Sequence, residues 1–244
     1  MQLRTLSIIA AALSPLLSHA GVGFDLPQPS LDTPPPTVQA LDPQVGALNK
    51  VIGSFPIRVS TADDRQAVYR QSSAALQQAW AIERKQPRAE STDGLLADLY
   101  RQGHNLDVKR TADSADNTIT LCLAASPDSI RCNFAAAYFY LSVNPKFAPK
   151  GEVALVHLRE LFKPQANLEV EKGVVFAYLF EGRKDEARTQ LTHFRTLDPQ
   201  ADWAREFPDN LDKGVVVQKK TTEPRSIAKS GASPAPWSPG DRSW

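Results

Sequence analysis

Between residues 61 and 197, apolar side chains recur every three or four positions, a spacing that predicts helices. Val68, Tyr69, Leu76, Ala79 and Trp80 form one stripe over residues 61–85. Ser60 or Thr61 is the expected cap there, Asp63 and Asp64 suit the first turn, and Pro87 ends the segment. The next helix is expected to start at Ser91 or Thr92, to carry Leu95, Leu96, Leu99 and Tyr100 on one face, and to stop at Gly103. Another continues from about Ala115 to Ala125. Residues 127–143 follow, with Ile130, Phe134, Ala137, Tyr138 and Leu141 at helical spacing. Residues 152–162, 168–180 and 184–197 complete the series. Period-two alternation is confined to residues 57–60 and 215–218, two weak strand candidates. The pattern is that of an all-α protein.

Proline positions organise these helices. Pro127, Pro164 and Pro199 recur at spacings of 37 and 35, each after one helix and before the next. The text from His157 through Pro164 to Ala166 parallels that from His193 through Pro199 to Ala201, with one residue deleted. Two helices per unit at a period of about 34–37 residues is the pattern of a helical-hairpin solenoid.

Here the sequence resembles the tetratricopeptide repeat family, best over residues 168–201. Tyr178 stands near the end of the first helix, Gly182 in the turn, and Ala187 where a small side chain lets the two helices cross. Leu191 holds the large apolar position, and Pro199 lies twelve residues beyond Ala187. The unit departs from the family at Glu171 (usually Trp), Val175 (usually small) and Phe194 (usually small). Residues 128–164 form a weaker unit, with Ala137, Ala154 and an interhelix turn lengthened by Pro145, Pro149 and Gly151. Residues 92–127 make a third, with almost no motif. The resemblance implies a groove, built by successive first helices, that receives a peptide or partner helix. Its matching positions are Arg131, Phe134 and Tyr138 in one unit and Glu169, Lys172 and Phe176 in the next. Aromatic anchors there would bury area while Arg and Lys orient carboxylates. The alternative is that Phe134, Tyr138 and Phe176 are ordinary core between stacked hairpins.

Of the 19 prolines among 244 residues, seven fall between Pro27 and Pro56, including Pro34, Pro35 and Pro36. The expected division is therefore a signal peptide at 1–20, a proline-rich linker at 21–58, the helical domain at 59–210 and a disordered tail at 211–244. The linker reads as an extended tether of polyproline character, and its PxxP-like run also suits a docking ligand. A short helix fits within residues 42–52, capped by Asp42 with Pro43 first. The tail carries six basic and two acidic residues from Lys213 onward.

Residues 1–20 combine Arg4, the apolar run 6–17 and Ser18-His19-Ala20, as a secretory signal and its cleavage site do. A twelve-residue run is too short to span a bilayer, which needs about 20. No later run approaches that length, so the mature chain is expected to lack a stable span. Gly21 follows the expected cut, so no lipid-bearing cysteine stands there. A periplasmic or secreted bacterial protein is the resulting expectation.

Two cysteines suit that compartment. Cys122 and Cys132 flank Ser126-Pro127-Asp128, a helix-start signal, at about equal distances. In a helical hairpin this places them opposite each other, and a Cys122–Cys132 disulfide is expected, worth about 2–3 kcal/mol by loop closure. The other reading is two buried free thiols.

Charge and motifs then narrow the chemistry. Lys and Arg total 28 against 27 Asp and Glu, a balance unlike that of a nucleic-acid protein. His19, His104, His157 and His193 show no metal-ligand spacing, and no P-loop, GxGxxG or GxSxG occurs. Glu90-Ser91 resembles the Glu-Ser of lytic transglycosylases, without the Gly-Leu-Met-Gln that follows in that family. Neither a catalytic residue nor a cofactor or metal is expected. The functional expectation is an exported, non-catalytic adaptor or scaffold that binds another protein or peptide of the cell envelope or of a secretion or assembly system. The alternative is an exported enzyme or enzyme inhibitor on an α-helical scaffold.

Overall fold

The structure, a computed structural model, describes residues 23–32, 34–54, 57–205 and 207. The expected signal peptide and tail, and the strand candidate at 215–218, lie outside the described residues. Contacts divide the chain into two units, Met1–Ala201 and Asp202–Trp244. In the second, residues 202–205 are helical and the Trp203 ring meets Phe207 edge-on at 5.7 Å.

The first unit is all-α among the described residues, and residues 57–60 form no strand. Its helices are α1 (Val38–Ile52), α2 (Ala62–Lys85), α3 (Glu90–Asn105), α4 (Thr111–Ala125), α5 (Ile130–Val143), α6 (Ala148–Leu161), α7 (Leu168–Phe180) and α8 (Lys184–Leu197). A 3-10 turn, Pro145–Phe147, joins α5 to α6. Consecutive helices pair as the hairpins α1/α2, α3/α4, α5/α6 and α7/α8. The first helices α1, α3, α5 and α7 pack side by side, and α2, α4 and α6 each also pack on the next first helix. Each hairpin thus buries its apolar face against its neighbours, as in a helical-hairpin solenoid. Pro87, Pro127, Pro164 and Pro199 all follow a second helix, so the junction prolines number four.

Caps account for several starts. Thr61 accepts from the Asp64 amide at 3.0 Å, Ser129 from the Cys132 amide at 3.3 Å, and Asn167 from the Glu169 and Val170 amides at 3.0 and 3.3 Å. Several expected boundaries move: α4 begins at Thr111 rather than about Ala115, and α5 at Ile130 after its cap Ser129 rather than at Pro127. The α3 helix begins at Glu90 without a side-chain cap, Thr92 is buried inside it, and Gly103 does not end it. At Gly103 the small residue instead lets α3 approach Thr111 of α4. Pro149 and Gly151 belong to α6 rather than to a long turn, and a Cβ on Gly151 would sit 3.0 Å from the Ala137 carbonyl oxygen.

The largest change is α1. Residues 38–52 form a packed helix rather than tether, and its cap is Thr37, which accepts from the Ala40 amide at 3.1 Å, not Asp42. Pro43 lies within the helix, and its missing N–H costs one helical bond. Leu41, Val45, Leu48 and Ile52 offset that loss by burial. They join Leu76, Ala79, Ile82, Leu95 and Leu99 in one core cluster, while a second cluster spans α3 to α7 around Phe139, Leu155 and Val174.

Cys122 and Cys132 are bonded, with Cα atoms 6.3 Å apart, so the disulfide fastens α4 to α5. The turn of the last hairpin matches its expected residues. Gly182 adopts φ +77°, its amide bonds the Leu179 carbonyl at 3.0 Å, and the Arg183 amide bonds the Tyr178 carbonyl at 2.8 Å. This is a Schellman motif, and only a residue without a Cβ adopts that φ free of strain. Ala187 and Leu191 are buried, Tyr178 lies under the Arg183 guanidinium at 4.3 Å, and Pro199 is exposed in the following turn. On α7 a close approach to the preceding hairpin is made at Gly173, where a Cβ would lie 2.6 Å from Leu155 Cδ2 of α6.

Candidate functional site

The six groove residues stand on α5 and α7, neighbouring members of the layer of first helices. What differs from expectation is their engagement. Arg131 reaches across to α1 and α3, bonding Asp42 Oδ1 at 2.5 Å and Asp98 Oδ2 at 3.4 Å. Its stem lies over Gly94, where a Cβ would come within 2.8 Å of Arg131 Cδ. Arg131 is thus a three-helix tie, and its charge is already answered by two carboxylates.

Tyr138 spans from α5 to α7. Its hydroxyl lies 3.0 Å from Glu169 Oε2 and 3.3 Å from the Glu169 carbonyl oxygen, and has one proton to donate. Burial, and then the Glu169 carboxylate, push its pKa well above the usual tyrosine range, so the phenol stays neutral. Lys172 Nζ closes on the same carboxylate at 2.7 Å. Phe134 and Phe176 are both half-buried. Phe134 packs against the core, 6.4 Å from the Tyr138 ring and 6.0 Å from Phe162, and Phe176 lies 6.4 Å from Phe180. Four of the six positions therefore hold polar groups already bonded within the chain, and Phe134 belongs partly to the core, as the alternative reading of the aromatics has it.

The structure adds Arg101 on α3, with only 4% of its side chain exposed. Its guanidinium donates to Asn49 Oδ1 at 2.6 Å, to the Gly53 carbonyl and to Asp98 Oδ1 at 3.3 Å, and it lies 5.9 Å from the Tyr138 ring centroid. Gln102 and Asn105 donate to the Val45 and Ile52 carbonyls at 3.3 and 3.0 Å. Helix ends leave their last carbonyls without helical partners. Here Arg101 and Asn105 of α3 supply donors to the Gly53 and Ile52 carbonyls at the end of α1, and Gln102 adds a bond to the Val45 carbonyl in its middle. A sequence signal existed: Arg101, Gln102 and Asn105 are polar residues inside the apolar pattern of α3, three to seven places after Asp98.

A polar and aromatic line therefore crosses the first helices, from Asp42 through Arg131, Asp98, Arg101 and Tyr138 to Glu169 and Lys172. Its chemistry is that of a surface that holds side chains in fixed positions. Elsewhere, Ser129 donates to Glu90 Oε1, which gives that carboxylate a tying role between α3 and α5. His157 faces Asp128, just before α5, at 3.0 Å, and His193 faces Glu171, inside α7, at 3.8 Å. Among the described residues, no group of three or more His, Cys, Asp or Glu converges as metal ligands would. An open cleft of about 410 Å³ lies between Pro35, Pro36, the start of α1 and the end of α2, with Lys85 as its charged group. No described helix is long and apolar enough to cross a membrane.

Comparison with known proteins leaves the geometry to speak for itself: no family model matches the chain, and no curated protein or solved structure does.

Proposed function

We propose that this chain is an exported, non-catalytic helical-repeat adaptor, of tetratricopeptide-like type, that binds another protein of the bacterial envelope or of a secretion or assembly system. One observation carries the reading. The first helices α1, α3, α5 and α7 lie side by side, and the α5 and α7 members present half-buried Phe134 and Phe176 beside Lys172. Half-buried aromatics flanked by fixed charges suit a partner segment, because a rigid surface orders few side chains when it binds. The disulfide supports an oxidising compartment.

The test uses a photo-crosslinking residue placed at Phe134, at Phe176, or at exposed Val153 on α6. The two first-helix positions are expected to capture one common protein in producing cells, and Val153 is not. Equal capture from Val153 would overturn the assignment. Deleting residues 1–20 is expected to leave the protein in the cytoplasm with both thiols open to alkylation.

A further inference from the structure

Residues 23–30 do not trail from the domain. Their exposure repeats every three residues: Asp25, Gln28 and Leu31 face solvent, and the residues between them are partly covered. Three residues per turn is the period of a polyproline II helix, which makes no internal hydrogen bonds and leaves its carbonyls to find donors elsewhere. Here α2 supplies most of them. Tyr69 Oη donates to the Asp25 carbonyl at 2.8 Å, Gln77 Nε2 to the Gln28 carbonyl, and Arg84 to the Ser30 carbonyl at 2.9 Å. Gln77 Oε1 also accepts from the Ser30 amide at 2.7 Å, so one amide side chain reads both a donor and an acceptor of the segment.

The dimensions agree. Tyr69, Gln77 and Arg84 are eight and seven residues apart, which puts them on one face of the helix. The helix rises about 22 Å from Tyr69 to Arg84. Five polyproline II steps from Asp25 to Ser30, the residues bonded by Tyr69 and Arg84, cover about 16 Å, and the long Arg84 side chain makes up the remainder. Contacts to main-chain atoms select an extended conformation, not a particular sequence. Sequence is read at the leading end, where Phe24 stacks on Tyr69 at 4.2 Å and 8°, with the Arg65 guanidinium 5.8 Å from its ring. Leu26 packs on the core cluster beside it.

We propose that this face of α2 is a second peptide-binding surface, apart from the layer of first helices. Its ligand class is an extended segment led by an aromatic residue, with an apolar residue two places on and prolines three and five places on. Residues 23–30 of this chain are its resident occupant, and an external segment of that chemistry competes with them for the same donors.

The experiment uses the full chain and a fluorescent peptide spanning residues 23–32, followed by anisotropy. The variant Phe24→Ala with Leu26→Ala weakens the resident arm and is expected to bind the peptide at least tenfold more tightly than the wild type. Adding Gln77→Ala and Arg84→Ala to that variant is expected to abolish binding with the helical circular-dichroism signal retained. Equal affinity for wild type and arm variant, or binding indifferent to Gln77 and Arg84, would overturn the proposal. A second measurement needs no substitution. Excess unlabelled peptide added to the wild type is expected to raise deuterium uptake in residues 23–32 and leave α5 to α8 unchanged; unaltered uptake in the arm would overturn it. A concentration-dependent dimer whose formation excludes the peptide would assign the surface to a second copy of this chain and would also overturn it.

Discussion

Arg159 and Glu171 form a two-bond ion pair, Nε to Oε1 at 2.8 Å and Nη2 to Oε2 at 2.6 Å, that fastens α6 to α7. The carboxylate side chain is 3% exposed, and Gln190 of α8 adds a bond to Oε2 at 2.6 Å. Three helices therefore meet on one buried charge, at the position where the resembled family carries a Trp. Removing the carboxylate takes away two charge-assisted bonds and one bond from buried Gln190, while Arg159, with 32% of its side chain exposed, turns to water. Glu171→Ala is expected to cost about 1.5–3 kcal/mol, and Glu171→Gln about 1–2 kcal/mol, read from urea midpoints.

The same carboxylate sets a pH dependence. Burial alone would raise its pKa, but bonds from Arg159 and Gln190, the Arg159 charge and nearby His193 together hold it below the ordinary glutamate range. A lowered folded pKa means that the unfolded chain binds more protons in that window. Its contribution is complete above the ordinary glutamate value and is lost as pH falls through the folded one. The stability gap between wild type and Glu171→Gln is therefore expected to narrow as pH drops from 6 to about 3. An unchanged gap across that range would contradict the assignment.

Reduction of the Cys122–Cys132 bond releases a loop of known size. The paired variant Cys122→Ser with Cys132→Ser is expected to lose about 2–3 kcal/mol, with its helical content kept. Mass spectrometry of the unreduced wild type is expected to find no alkylatable thiol.

Close packing of α6 on α7 depends on Gly173. Leu155 is fully buried, so its Cδ2 has little room to retreat from an added Cβ at 2.6 Å. Gly173→Ala is expected to cost about 1–3 kcal/mol by overpacking. Combined with Leu155→Ala it should cost less than the sum of the two, because the truncated residue makes room. Additive costs in a double-mutant cycle would show that the two positions do not meet as described.

Arg131 and Lys172 are expected to separate by role. Arg131→Ala breaks ties to α1 and α3 at once and should cost about 1–2 kcal/mol. Lys172→Ala loses a surface pair worth about 0.5 kcal/mol or less. Charge reversal at Arg131 would set three carboxylates together, so lost partner capture in that variant would report the fold, whereas Lys172→Glu and Phe176→Ala report the surface.

Local rules carried far in this protein. The spacing of Val68, Leu76 and Ala79, the run from Glu181 to Ala187, the prolines at 127, 164 and 199, and the cysteines beside one turn are short-range signals, and each has its counterpart in a helix, a turn, a junction or a bond. The same rules were blind where two signals conflicted. Leu41, Val45, Leu48 and Ile52 stand at helical spacing, yet seven prolines around them read as tether. Tertiary burial of those four side chains decided for helix, because the area removed from water outweighs one bond lost at Pro43.

Partnership was the part that no local pattern could carry. Arg131, Tyr138 and Lys172 looked like open binding groups because a sequence lists side chains without their neighbours. Residues 89 positions apart, Asp42 and Arg131, are brought to 2.5 Å only when α1, α3 and α5 stack. In the same way, the backbone carbonyls of residues 23–30 acquire meaning only when α2 lies beneath them. The sequence by itself determined the helices, most of their turns and the repeat. The packing of one helix on the next decided which charges were answered within the chain and which faces were left exposed.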